Sequence, residues 1–453
     1  VIAEPAATPW RSRPEEPVPE SVTATATATE GTERGRAVRS MVPRSSHGTR
    51  PEPAGRADPV ALLERRAVNL LPQSVPVRHA RMAASPFAFL RGAAAVMAAD
   101  LAVQPHTGLT VQLCGDAHLL NFGLYGPPQG APVFGLGDFD ETLPGPFEWD
   151  VKRLAVSVAI AAHAIGGGPS LARGAARSCV RAYREAVRRP AGSSDRSGWP
   201  DTAAGLPAGW RRDGVLAAAR LTELRGRRRR IVPRLPLITS VPERVADGVH
   251  AVLEGYRASL PERRRELLDG FRFVDAAAVV AGVGGVGTCC FAVLLQGRTS
   301  DDLLVLQLKE AGRSALEDHL PSGPHDHHGH RVVAGQRLLQ AVDDDFLGWT
   351  TGPGVPSRQF YWRQLRDPGR PARVEAMTPR VLQRYGALCG AALARAHARS
   401  GDRPAIAGYL GSGTVFDEAV ADFAVRYAER NAADHARLCE AIAAGAVGAR
   451  ADA

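Results

Sequence analysis

Lysine is almost missing from this chain. Of 56 Lys+Arg residues in 453, two are lysine, Lys152 and Lys309, and the other 54 are arginine. Arginine replaces lysine on a solvated surface at little cost, but not where a compact, flexible ammonium is needed. The two lysines are therefore positions to examine. Cysteine is sparse too: six residues, no CxxC spacing, with Cys289 and Cys290 adjacent. That excludes a disulfide-rich scaffold and suits the reducing cytoplasm. Residues 1–58 have almost no large apolar side chains and are rich in Pro, Ala, Thr, Glu and Arg. They read as a disordered tail without the apolar core of a signal peptide. No GxSxG or HExxH motif is present, so hydrolase and zincin readings have no support.

The apolar fraction is 45%, enough for a large core. By length the chain holds roughly two to four domains. Ala276 to Gly297 carries no charge and is long enough to span a bilayer. Its five glycines and β-prone second half argue against a transmembrane segment. The net charge of +9 partly reflects Arg225 and Arg227 to Arg230. No aromatic residues interleave with that run, and no helix-turn-helix or zinc pattern accompanies it. It reads as a solvated loop or helix end, and nucleic acid is not the expected partner. The run HDHHGH at 325–330 likewise reads as solvated.

Periodicity and turn signals divide the rest. Residues 59–270 form a helix-rich region, with one buried helix over Phe87–Leu101 and others over Trp149–Ile165, 170–189 and 242–270. Within it Thr110–Leu113 and Val133–Leu136 read as short strands. Residues 271–370 form a β region, with strands after Ala276 and over Phe360–Leu365 and a helix at 331–342. Residues 371–453 are helical and pack on the first region.

Two polar strings leave the early strands. CGDAHLLN places Asp116 and Asn121 five positions apart, and GLGDFDE ends the second strand in Asp138 and Asp140. A carboxylate and an amide oxygen suit a magnesium–phosphate site, since magnesium prefers hard oxygen ligands and takes only one or two protein carboxylates. A separate Asp can orient a hydroxyl and take its proton. Further on, GVGGVG at 282–287 fits GxGxxG. A Rossmann loop must open a helix, whereas the residues that follow, TCCFAVLL, have strand composition. A glycine loop joining two strands, followed by a strand that ends on Lys309, is instead the layout of a kinase nucleotide site.

These blocks resemble the protein-kinase-like superfamily. Aminoglycoside and choline phosphotransferases write them as HGDxHxxN and IDW(E/D), then GDPxxDLA opening a helix. Here the strings are GDAHLLN, GDFDE and GPFEWDVKRLA. The resemblance implies an α+β, two-lobed fold with a helix-rich large lobe and a small antiparallel-sheet lobe. It implies ATP and magnesium as cofactors. Asp116 and His118 would be catalytic, and Asn121, Asp138 and Asp140 would face the metal. Gly282, Gly284, Gly287 and Lys309 would hold the nucleotide, and Asp150 would support the loop structurally. Cys114 stands where those enzymes usually have His. The acidic loops precede the glycine loop, the reverse of the usual order, which implies circular permutation. The carboxylate partner of Lys309 is open, with Glu310 and Glu317 as candidates. Lys152 is expected to face an acidic neighbour or the loop of Asp138, or else to lie on the helix surface.

The chain also resembles a bacterial family, domain of unknown function 2252, through SPFAFLRG (85–92), CGDAHLLNFG (114–123), GDFDETLPGPFEWDVKRLA (137–155), LQLKEA (306–311), FYWRQLRD (360–367) and LARAHARSGD (393–402). That family implies no activity. The expectation is a magnesium–ATP phosphotransferase acting on a small-molecule or protein hydroxyl. The alternatives are an adenylyltransferase or nucleotide-binding regulator of the same fold, and an arginine-rich nucleic-acid or membrane-surface binder.

Overall fold

The computed structural model describes residues 28–49, 55–125, 133–189, 211–212, 218, 220–226, 228–280, 285–342, 344–353, 357–365 and 374–450. Within them the chain is a mixed α+β protein, with helices around a large core and small, mostly antiparallel sheets. The helix Phe147–Ala164 lies at the centre, and 16 of its 18 residues are buried. A helix apolar nearly all round must be enclosed. The helices Pro169–Arg188, Pro379–His397 and Val415–Ala443 enclose it. Glu148 and Asp150 sit in its first turn, where the helix dipole favours negative charge.

Two pairs of short strands frame the polar loops. Thr110–Leu113 pairs antiparallel with Leu143–Pro146, and Phe122–Tyr125 with Val133–Leu136. The pairs are nested, so loops 114–121 and 137–142 lie side by side. Gly137 N donates to Asn121 O across them at 2.9 Å.

The largest sheet has six strands in the order Gly348–Thr351, Gln359–Gln364, Leu303–Glu310, Cys290–Gln296, Arg272–Val279, Ile238–Ser240. Alternation gives it two faces. Leu304, Leu306, Leu308, Val293 and Trp362 pack on Val249, Leu253 and Tyr256 of the helix Glu243–Ala258. The opposite face carries Val305, Gln307 and Lys309, with Ala292, Leu294 and Val279 on the neighbouring strands. That face meets the polar loops.

Several expectations are corrected. Residues 28–41 of the expected tail form a helix, Ala28–Met41, packed against the helix Arg403–Leu410. Arg39 donates to Tyr409 O at 2.7 Å, and Arg44 donates to Leu410 O at 2.6 Å. Arginines on backbone carbonyls hold this segment, which a reading by apolar content misses. The sheet region begins at Ile238, before the expected 271, because the strand and helix ahead of that point belong to it. The expected helix at 87–101 is two, Pro86–Gly92 and Ala94–Ala102, separated at Ala93. The arginine run forms a hairpin, Thr222–Arg225 with Arg228–Ile231, and Arg227 lies outside the described residues. Arg229 pairs with Asp301 at 3.2 Å and Arg230 with Asp275 at 3.1 Å, so the run is partly neutralised. The histidine run opens the helix His328–Leu339, with His327 as its N-cap and the rings of His327 and His330 against Trp349. Among the described residues no helix is long and apolar enough to cross a membrane.

Candidate active site

The first loop is held from beneath. Cys114 N and Gly115 N donate to the two carboxylate oxygens of Asp150 at 2.8 and 3.1 Å. His397 Nε2 lies 3.1 Å from Asp150 Oδ2, and Tyr183 OH lies 2.8 Å from His397 Nδ1. Such charge-assisted bonds are short and strong, and here they are buried. Gly115 has φ +82°, and a Cβ there would meet Glu141 O at 2.2 Å. Only glycine fits this left-handed, crowded position.

Asp116 follows directly. Arg153 Nε donates to its Oδ1 at 2.7 Å. His118 Nε2 lies 3.6 Å from Oδ2, beyond a hydrogen bond. Leu120 N donates to His118 Nδ1 at 3.2 Å, which leaves the ring proton on Nε2. Burial, then Arg91 and Arg153, hold His118 well below the ordinary histidine pKa, so it is neutral. Burial raises the pKa of Asp116, and Arg153 only partly offsets it. Asn121 Nδ2 donates to Asp116 O at 2.7 Å. That orients the amide and leaves Oδ1 free of described donors.

The second loop meets the sheet. Lys309 Nζ bonds Asp140 Oδ2 directly and lies 3.9 Å from Asp138 Oδ1. Tyr361 OH donates to Asp140 Oδ1 at 2.8 Å, so both oxygens of Asp140 have protein donors. Asp138 Oδ1 is buried without a hydrogen-bond partner among the described residues. Arg363 spans the junction, donating to Gly137 O at 2.9 Å and to Gln307 Oε1 at 2.7 Å. Burial opposes the ammonium of Lys309, but Asp138 and Asp140 outweigh it and hold its pKa well above the lysine value. Burial also opposes the charge on Asp138, yet Lys309 and Arg363 hold that carboxyl low. Burial and the Asp138 charge raise Asp140. Of the two carboxylates sharing one ammonium, Asp140 is therefore the first to take a proton.

Asp116, His118, Asn121, Asp138, Asp140, Lys309 and Arg363 line one cavity of about 1560 Å³. A single-ligand pocket commonly holds roughly 300–1,000 Å³, so there is room for two ligands. Leu221, Ile238, Val279 and Leu365 line it from the apolar face of the sheet. Among the described residues no three His, Cys, Asp or Glu side chains converge as a metal site. The orphaned Asp138 Oδ1 and the free Asn121 Oδ1 form a smaller set of two hard oxygens. That set fits magnesium arriving with phosphate oxygens.

The chain belongs to a bacterial family. It is described as uncharacterized protein conserved in bacteria (DUF2252), and its model matches residues 70–441. No curated protein and no solved structure matches the chain. The family's span includes both loops, the sheet and Lys309.

The structure thus brings together Asp116, His118, Asn121, Asp138, Asp140 and Lys309. Gly282 and Gly284 lie outside the described residues. Gly287, at φ +98°, rests on Leu70, and Leu71 N donates to its carbonyl at 2.8 Å. Neither expected partner of Lys309 meets it. Glu310 accepts from Cys289 N at 2.9 Å and from Arg358 at 2.7 Å, while Glu317 caps the turn at Ser314. Lys152 donates to Gln104 Oε1 at 2.6 Å and faces the ring of Phe423 at 4.8 Å, not the loop of Asp138. Sequence reasoning missed Arg153, Tyr361 and Arg363. Arg153 lies three residues after Asp150, one helical turn on. Tyr361 and Arg363 alternate on one strand face opposite Lys309 and Gln307.

Proposed function

We propose that this protein is a magnesium- and ATP-dependent phosphotransferase, with a kinase-like fold in circularly permuted order. The observation that carries the reading is the junction of Lys309 with Asp138 and Asp140, residues about 170 positions apart in the chain. Gly285, the lysine strand and the two acidic loops line one cavity, and that supports the reading whatever their order in sequence. Permutation is physically permissible because chain ends often lie close together at a surface.

Each group then has a chemical role. The adenine would lie against Ile238, Val279 and Leu365. Lys309 would exchange part of its contact with Asp140 for phosphate oxygens, as a point charge. Asn121 and Asp138 would hold magnesium, which neutralises charge on the transferring phosphate when bound. Asp116 would orient the acceptor hydroxyl through Oδ2, since Oδ1 is engaged by Arg153. The acceptor oxygen bonds to the γ-phosphorus, the bond to the bridging β–γ oxygen breaks, and ADP leaves. The hydroxyl proton passes to Asp116. Neutral His118 would position Asp116 rather than carry the proton. A cavity-sized alcohol is the expected acceptor class.

Labelled ATP tests the reading. Transfer of γ-label to an acceptor pool is expected, and Asp138→Ala should lower it at least about 100-fold, the scale for losing a preorganised charge contact. Transfer of α-label would make the protein an adenylyltransferase. Nucleotide binding without either transfer would make it a regulator, and no binding at all would sink the proposal.

A further inference from the structure

The cavity wall beside Asp116 is more basic than the loop chemistry needs. Arg153 already pairs with Asp116, and Lys309 already serves Asp138 and Asp140. Glu141 receives Ala315 N at 2.5 Å and lies 3.7 Å from Arg66. Two further arginines, Arg78 and Arg91, line the same cavity. No described residue accepts a hydrogen bond from the Arg91 side chain, and its Nε is buried. A guanidinium with a buried, unsatisfied N–H is costly, and an acceptor from ordered water or a bound anion relieves it.

One short helix links these groups. The short helix Pro86–Gly92 carries Arg91, and the carbonyl of the preceding Leu90 accepts Arg153 Nη2 at 2.8 Å. The same helix thus sets both Arg91 and the arginine that holds Asp116. Arg78 Nη2 donates to Gly92 O at 3.0 Å, which ties it next to Arg91. Burial lowers the pKa of Arg91, and Asp116 then Asp138 raise it, so its closest charged surroundings are the catalytic loop. Lys309 and Arg363 have Asp138, Asp140 and Tyr361 as neighbours instead. Arg78 and Arg91 line the cavity together with Asp116, as Lys309 and Arg363 do with Asp138 and Asp140.

We infer that the acceptor is a small phosphorylated alcohol, whose phosphate is gripped by Arg91 and Arg78 while its hydroxyl faces Asp116. Guanidinium forks match phosphate oxygens in pairs, and two of them balance a phosphate dianion better than a single carboxylate. The cavity is large enough for this ligand beside a nucleotide. The inference rests on the phosphotransferase reading for the placement of the hydroxyl, but the anion site stands on its own geometry.

The test uses the full chain, with inorganic phosphate and phenyl phosphate as probes in isothermal titration. The nucleotide site is first filled with magnesium and a non-hydrolysable ATP analogue. Wild type should bind both probes. Arg91→Gln should weaken them at least tenfold and change analogue affinity less than twofold, and Arg91→Lys should fall between. Lys309→Ala should do the reverse, losing the analogue and keeping phosphate. Unchanged phosphate binding in folded Arg91→Gln overturns the inference, as does a loss of analogue binding in its place. Equal affinity for acetate overturns the phosphate assignment. If wild type binds no analogue, the probes are titrated alone. Arg91-dependent binding then keeps the anion site while the phosphotransferase reading fails.

Discussion

Lys309 and Lys152 occupy two regions that treat the same side chain in opposite ways. Both are almost fully buried. Lys309 sits where the sheet meets the acidic loops, and Asp138 and Asp140 raise its pKa despite burial. Lys152 sits inside the central helix bundle, where burial pulls its pKa down to about 8 and Glu148 only partly resists. Its direct contacts are a neutral amide and an aromatic ring. Burial alone therefore says little about a lysine's task. What separates the two is whether carboxylates converge on the ammonium from another part of the chain. Lys309 faces a cavity with two carboxylates beside it, while Lys152 is a charge enclosed in packing.

Removing each lysine should break the comparison in opposite directions. Lys309→Met leaves Asp138 and Asp140 facing each other without a cation. Deleting one partner of a buried ion pair costs about 3–5 kcal/mol. Asp138 and Asp140 are 39% and 30% exposed, so solvent screening should reduce the loss to about 2 kcal/mol at pH 7. In the variant both carboxyls should have raised folded-state pKa values. Stability is then retained below the ordinary carboxyl range and lost as pH rises through the shifted values. Urea midpoints should show a larger deficit at pH 7 than at pH 5. A deficit independent of pH would mean that packing, not charge, is what Lys309 supplies.

Lys152→Met should act the other way and more weakly. The lysine is charged below about 8 in the folded chain and below the ordinary lysine value of 10.5 in the unfolded chain. Between those values the unfolded state binds more protons, so wild-type stability rises with pH across that window. The enclosed charge costs about 3 kcal/mol at pH 7 by that shift. Losing the bond to Gln104 offsets about 1 kcal/mol or more. The variant should gain roughly 1–2 kcal/mol at pH 7, and the gain should close as pH climbs to about 10.5. Denaturation curves for both proteins at pH 7 and 10 check this. A destabilised variant at pH 7 would show that Lys152 has an anionic partner and belongs with Lys309 after all.

The local parts of this molecule were legible from sequence, and the long-range pairings were not. Thr110–Leu113 and Val133–Leu136 are strands with the bounds that their apolar runs predict, and the central helix starts within two residues of expectation. Asp116, Asn121 and Asp138 stand out because Asp and Asn at strand ends follow a fixed spacing. Their joint placement with Lys309 followed only from the resemblance. The partner of Lys309 stayed open because both candidates were close in sequence, and Glu310 points to the other side of the strand. Alternation along the strand should have warned of this, since residues 309 and 310 face opposite ways. The helix at 28–41 was missed because its fixing contacts are arginine-to-carbonyl bonds, invisible to hydrophobic patterning. Arg91 carries no sequence signal beyond its place in SPFAFLRG, because its burial and cavity lining are set by the fold around it.

The smallest expected effect sharpens which carboxylate serves Lys309. Glu310 adjoins the lysine in sequence but bonds Cys289 N and Arg358, and Arg358 is 41% exposed. A partly solvated pair contributes about 1 kcal/mol or less. Glu310→Gln keeps the side-chain volume and one acceptor for Cys289 N. It should lower stability by under about 1 kcal/mol and leave nucleotide-analogue affinity within twofold of wild type. Asp140→Asn removes the direct counter-ion of Lys309 and should move that affinity by much more, in either direction. It frees the ammonium for phosphate, but it also removes the charge that anchors it. If the two variants shift affinity equally, Asp140 is not the group that sets the lysine's position. The strand's neighbouring carboxylate would then have to act through the backbone, which the opposite facing of residues 309 and 310 does not favour.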